Sequence, residues 1–232
     1  MSSAEKPSVR DPLLACTGLE KRFFIHQQEI SVLRGINLSV GRGEIVVITG
    51  KSGTGKSTLL GLLAGLDRPD AGKILFEGKE LGALSHEDLA TLRRTKMSII
   101  FQSFNLLPSW TALENVEAAL FHTGRTKERR QEKAMECLKQ LGLGAVALHL
   151  PAEMSVGQQQ RVAVARTLVN EPALIFADEP SGDVDPETGK EIVGLLLSAV
   201  REKGATLLVA THGGFPLEVA GRVFVLKDGV LG

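Results

Sequence analysis

Gly50-Lys51-Ser52-Gly53-Thr54-Gly55-Lys56-Ser57-Thr58 lies between an apolar β-branched run, Ile45-Val46-Val47-Ile48-Thr49, and a helix-length apolar run, Leu59-Leu60-Gly61-Leu62-Leu63. Strand, glycine-rich loop and helix in that order make the spacing Gly-x-x-x-x-Gly-Lys-Ser a phosphate loop. Glycines let the backbone curl so that successive amides face an anion, and glycine enters positive φ without a steric penalty. Lys56 supplies a point charge to the β- and γ-phosphates of ATP, and the Ser57 hydroxyl is placed to reach Mg²⁺. Gly50 to Thr58 is therefore a nucleotide site, and its setting predicts an α/β fold.

A second segment, Ser155-Val156-Gly157-Gln158-Gln159-Gln160-Arg161, precedes an apolar helical run. Ser155 followed three residues later by Gln158 is a capping box, in which hydroxyl and amide satisfy each other's backbone donors. A helix N-terminus also attracts anions through its free amides and macrodipole. Alone, the segment is an ordinary capped helix; beside a phosphate loop it is a second anion site.

Polar residues then recur where apolar strands stop. Asp178 closes Leu174-Ile175-Phe176-Ala177, so its carboxylate should emerge at the sheet's C-terminal edge, where α/β folds bind ligands, and could hold Mg²⁺. Glu179 should point toward the γ-phosphate and polarise a water. His212 ends Thr206-Leu207-Leu208-Val209-Ala210-Thr211, and Gln102 follows Ser98-Ile99-Ile100-Phe101; Gln102 could reach Mg²⁺ or the attacking water. One such residue is usually structural, but four with a phosphate loop point to one site.

The 232 residues suit one large α/β domain or one carrying an inserted subdomain. Net charge is zero, without a basic run long enough for a nucleic-acid footprint, so no nucleic-acid partner is expected. Cys16 and Cys137 lack metal-type spacing and read as small apolar fillers in a reducing compartment. No apolar stretch approaches the roughly 18 residues that span a bilayer. Residues 1–12 read as a loose polar tail, and a cytoplasmic location is expected. Leu13 to Phe24, Ile30 to Leu33 and Ile36 to Val40 alternate like a small antiparallel sheet. Gly72 to Phe76 reads as another strand, Asp88 to Lys96 as a charged helix, and residues 108–150 as helical, with Arg125 to Arg130 as a solvated charge run. Strands at Leu174 to Ala177 and Thr206 to Ala210, separated by a helix over Pro186 to Arg201, argue a parallel sheet with right-handed crossovers.

With these motifs quoted, the chain resembles the nucleotide-binding subunit of an ATP-binding-cassette (ABC) transporter from about Leu19 to Gly229. The phosphate loop, Gln102, the signature Ser155 to Gln158, Asp178-Glu179, the loop Ser181 to Asp185 and His212 match in order. Residues 101–108 and 111–116 are similar to the lipoprotein-releasing and macrolide-export branch, with the cell-division cassette and other non-transport ABC ATPases as alternatives. The resemblance implies a RecA-like P-loop NTPase core, a small antiparallel β subdomain and an inserted α-helical signature subdomain at roughly residues 102–157, all within one domain over 13–232. It implies an ATPase whose two copies, identical or homologous, sandwich two ATP molecules head to tail. Ser155, Val156, Gly157 and Gln158 would then meet the partner's nucleotide in trans, and Asp185 would lie in the loop between the sites. It also implies a separate membrane permease, contacted near Gln102 to Trp110, with Phe104 and Trp110 as apolar candidates, and so a peripheral position on the inner membrane.

Three departures stand out. The signature reads Met154-Ser155-Val156-Gly157 where the family has Leu-Ser-Gly-Gly, and Asp183-Val184 replaces Asn-Leu or Ala-Leu. The chain also lacks tyrosine, so Phe23, or its neighbour Phe24, is the candidate to stack on adenine, since a stack needs only a ring face.

Overall fold

The computed structural model describes residues 11–26, 28–182 and 184–232, with the backbone alone at Ile25. Most of the expected loose tail at 1–12, and Asp183, lie outside the described residues. Two sheets organise the chain. Leu14–Ile25 (β1), Gln28–Val40 (β2), Ala71–Phe76 (β4) and Lys79–Glu80 (β5) form an antiparallel sheet in the order β2-β1-β4-β5. Ile45–Thr49 (β3), Met97–Ile100 (β6), Leu174–Asp178 (β7), Thr206–Thr211 (β8), Arg222–Lys227 (β9) and Val230–Leu231 (β10) form the second, ordered β10-β9-β3-β8-β7-β6.

In that second sheet β9, β3, β8, β7 and β6 are mutually parallel. Each residue of β8 and four of five in β7 are buried, as expected where helices and a second sheet cover both faces. Alternate residues feed two cores. Val46, Ile48, Phe176, Leu208 and Ala210 pack with the helix Lys56–Leu63 (α1) and the antiparallel sheet. Val47, Ile175, Ala177, Leu207 and Val209 pack on the opposite side, against Val156–Leu168 (α5) and Pro186–Lys203 (α6). His86–Thr95 (α2) is the charged helix read from the sequence. Ala112–Ala118 (α3) and Lys127–Gln140 (α4) fill the helical segment and join the second core through Val116 and Leu138.

Two expectations are corrected, and one edge was not read from the sequence. The runs Ile30 to Leu33 and Ile36 to Val40 belong to one strand. Leu19 pairs with Ile36 and Lys21 with Leu33, so one residue of β1 opposes two of β2 and the irregularity is absorbed as a bulge. The run Arg125 to Arg130 is not wholly solvated: Arg130 pairs with the buried Glu117 at 3.1 Å and lies over Phe121 at 5.0 Å. Strands β9 and β10 add an edge that had not been anticipated. Its signal was present in the alternation Arg222 to Lys227 and in Asp228-Gly229, whose φ values of 51° and 78° make a two-residue hairpin turn.

Candidate functional site

The strand order puts the C-terminal ends of β3, β8, β7 and β6 side by side, and each releases one of the sequence-selected groups. The phosphate loop leaves β3. Gly55 caps α1 in the left-handed region, at φ 98° and without a side-chain cap, so the helix's first amides remain open to an anion. A Cβ at Gly55 would lie 2.7 Å from a methyl of Val32 on β2, so the site tolerates no side chain there. Lys56 is buried, and its ammonium donates to the Gly50 and Lys51 carbonyls at 2.9 and 3.1 Å.

At the end of β7, Asp178 accepts from Ser57, while its Oδ1 is buried with no partner. Burial raises the Asp178 pKa above the usual carboxylate value; the Ser57 hydrogen bond opposes that, Glu179 adds to it, and Lys56 opposes it. A buried, unsatisfied carboxylate oxygen beside a hydroxyl is a donor set suited to Mg²⁺, which takes one or two protein oxygens and completes its shell with phosphates and water. The fit is therefore good.

Glu179 adopts φ 46°, and its amide is held by the Ala210 carbonyl of β8 at 2.9 Å. Its Oε1 lies 2.8 Å from His212 Nδ1 and 3.7 Å from Lys56 Nζ. A left-handed non-glycine residue with a buried carboxylate is the kind of strain that tertiary structure imposes on a site. The second carboxylate thus turns away from Asp178, toward the lysine and the histidine. His212, at the end of β8, is mostly exposed.

One cavity of about 290 Å³ is lined by Phe23, Val32, Ser52, Gly53, Gly55, Lys56, Ser57, Thr58, Gln102 and Glu179. Phe23 is half-exposed, and Lys21 sits over its ring at 5.3 Å. Phe24, on the opposite face of β1, does not line the cavity. Val32 was not selected from the sequence; the pairing of β1 with β2 brings it to the cavity wall beside Phe23.

The signature forms as read: Ser155 Oγ accepts from the Gln158 amide at 3.2 Å, and Gln158 accepts from the Ser155 amide at 2.9 Å. Val156 occupies the first helical position and is exposed. None of residues 155–158 lines the cavity. Asp185 caps α6, accepting from the Glu187 and Thr188 amides; the Thr188 hydroxyl foremost, and then these amides, lower its pKa. A groove of about 600 Å³ opens elsewhere, lined in part by Phe101, Asn105, Phe121, Arg166 and Asn170. Trp110 is not in it; that ring packs on Phe121 with centroids 6.1 Å apart.

Residues 33–182 match the family described as ABC transporter. The chain is 44% identical over 90% of its length to an uncharacterized ABC transporter ATP-binding protein of Thermotoga maritima, covering 89% of that protein. It is 42% identical over 95% of its length to the lipoprotein-releasing system ATP-binding protein LolD 2 of Caulobacter vibrioides, covering 97% of it. A macrolide export ATP-binding/permease protein, MacB 1 of Aeromonas hydrophila, is 41% identical over 96% of this chain, which spans 34% of that longer protein. Among solved structures, a dimeric ATP-binding cassette in a post-hydrolysis state with ADP and Pi superposes with a TM-score of 0.87 at 38% identity, covering 94% of this chain and 96% of that one.

Proposed function

The chain belongs to the ABC transporter family, and on that premise we propose how its residues perform the ATPase work of a transporter of the lipoprotein-releasing or macrolide-export branch. The protein binds and hydrolyses ATP as a cassette that pairs with a second cassette and serves a membrane permease. The observation that carries the site assignment is the meeting of three parallel strand ends, those of β3, β7 and β6, on one cavity, with His212 at the end of neighbouring β8 reaching it through Glu179, while the signature lies outside it.

The adenine stacks on Phe23, and the phosphates lie against the amides of residues 50–58 and the Lys56 ammonium. Ser57 and Asp178, with Gln102 on the cavity wall, would hold Mg²⁺, which when bound would neutralise developing phosphate charge. Glu179, poised between Lys56 and His212, orients or deprotonates the attacking water, and His212 fixes the carboxylate. Ser155 and Gly157 lie outside the cavity that takes their own chain's nucleotide, which supports head-to-tail pairing with Ser155 to Gln158 on the partner's γ-phosphate. Asp185 stands in the loop between the two sites. No helix among the described residues is long and apolar enough to cross a membrane. The 600 Å³ groove beside residues 101–105 is the surface offered to the permease, which would place the chain on the cytoplasmic side of the inner membrane. We take residues 102–157 as the helical subdomain.

Glu179→Gln tests the assignment. It keeps the side chain's shape, so ATP should still bind while turnover stops, and the chain should elute as an ATP-dependent dimer on gel filtration. Hydrolysis at near the native rate would sink this role for Glu179.

A further inference from the structure

Helix α5 carries the signature at its N-terminus, yet its flanks are occupied with two other loops of the same chain. We propose that Arg166 and Gln160 are positioning residues that make α5 a rigid tie between the loop carrying Gln102 and the loop carrying Glu179.

Arg166 is the stronger contact. Its Nη1 donates to the Asn105 carbonyl and its Nη2 to the Phe104 carbonyl, each at 2.6 Å. Among the described residues no carboxylate pairs with Arg166, and burial lowers its pKa. A half-buried cation at the groove wall without an anion partner is held by those two carbonyls. A planar fork satisfies both at once, which an ammonium cannot do in the same geometry. The residues it holds are themselves unusual: Phe104 and Asn105 have φ of 60° and 49°, two successive left-handed non-glycine residues just beyond Gln102. Such a pair persists only when its surroundings over-determine it.

Gln160 makes the second contact. It is 1% exposed, and its Nε2 donates to the Pro180 carbonyl at 2.7 Å. Pro180 directly follows the left-handed Glu179. Six positions separate Gln160 from Arg166, so at 3.6 residues per turn they point roughly 120° apart and reach different loops. A shift of α5 therefore moves the Gln102 and Glu179 loops together. If the signature meets the partner's nucleotide, as the proposed function holds, ATP in one site sets the catalytic groups of the other, and hydrolysis becomes cooperative in ATP.

The full-length chain tests this with Arg166→Met, Arg166→Lys and Arg166→Met/Asn105→Gly, each measured for binding of a fluorescent ATP analogue, ATPase kinetics and thermal melting. Because Arg166 lines no part of the nucleotide cavity, the Met variant should bind the analogue within about twofold of native while kcat falls by about tenfold or more and cooperativity in ATP is lost. Glycine accepts the left-handed conformation without the guanidinium, so Asn105→Gly should restore part of kcat. Should Arg166→Met not fold, Arg166→Lys decides: kcat should fall by about threefold or more with native analogue binding. Native kcat and cooperativity overturn the proposal, and so does a parallel loss of binding, kcat and melting temperature, which marks a purely structural role. Glu179→Gln in the same assays separates the two levels. If it hydrolyses ATP, the site reading fails; if it is inactive while Arg166→Met behaves as native, only the tie fails.

Discussion

The rim of strand ends and the tip of α5 are the two candidate anion sites, but they are finished to different degrees. At the rim, Lys56 bonds two carbonyls, Glu179 bonds His212, and Asp178 alone keeps an orphaned oxygen. The groups proposed to hold the nucleotide are all assembled within one chain. At the tip, the Ser155 capping box is complete, yet the residues around it face no nucleotide cavity of their own chain. The folding of one chain brings the rim's groups together, whereas the tip is completed only as a helix end and, on the proposed reading, awaits a second molecule for its chemistry.

The largest effect should come from breaking the rim. Lys56→Ala removes a buried charge that the phosphates would otherwise meet, leaving the loop amides to hold them alone. Charge-assisted contacts of this kind are strong, so ATP affinity should drop on the order of 100-fold, as read by titration calorimetry. Affinity within a few-fold of native would mean that the helix N-terminus, not Lys56, dominates binding.

Gly157 sharpens the comparison at the tip, because two different constraints could forbid a side chain there. One is the approach of the partner's phosphate to its amide. The other lies within the chain: a Cβ would fall 2.7 Å from Cγ2 of Thr188 on α6, with the Thr188 hydroxyl at 3.3 Å. Gly157→Val should abolish ATPase activity, and Gly157→Ala should lower it by about tenfold. Thr188→Ser removes the offending methyl but keeps the hydroxyl that bonds Asp185. If Gly157→Ala/Thr188→Ser recovers full activity, the constraint is internal; if melting recovers but ATPase does not, the partner's nucleotide imposes it.

Asp178→Asn should act in opposite directions on stability and function. The folded pKa lies above the ordinary aspartate value, so between those two values the folded chain binds the extra proton. The nucleotide-free chain therefore loses stability as pH rises through that window, and above it the buried charge is a standing penalty. Asparagine removes the penalty and can still pair with Ser57. The nucleotide-free variant should melt higher at neutral pH, by a few degrees at most because solvent partly screens the site. It should also lose the Mg²⁺-dependent part of the melting shift that ATP produces in the native chain. A variant that melts lower without nucleotide would refute the desolvation argument.

The rim was readable in the sequence because each of its groups follows an apolar strand, and parallel strands end on one edge. Asp178, Glu179, Gln102 and His212 needed no knowledge of pairing beyond that. What was hidden depends on contacts between distant segments. Val32 reaches the cavity beside Phe23 through the β1–β2 register, Arg130 is drawn from solvent by Glu117, and Arg166 and Gln160 show their partners only once the loops are folded. The capping box was visible because it is local to four residues. The β9–β10 edge was just as local, its Asp228-Gly229 turn lying between two alternating runs.

The smallest effect is expected at Val156, where the family pattern has glycine. Val156 is the first residue of α5, in helical conformation after an extended Ser155 at φ −64° and ψ 159°. A side chain meets no backbone penalty there, and this one projects into solvent. Glycine would loosen the first turn slightly, by well under about 1 kcal/mol at an exposed helix end. With valine in place the Ser155 cap on the Gln158 amide is intact. Val156→Gly should therefore leave ATPase activity within about twofold of native and shift the melting temperature barely at all. The competing reading is a degenerate half-site that functions only beside a different cassette. It predicts a native chain without ATPase activity, alone or with its permease, that gains activity as Val156→Gly. Measuring both chains in one assay decides between a tolerated substitution and a disabled signature.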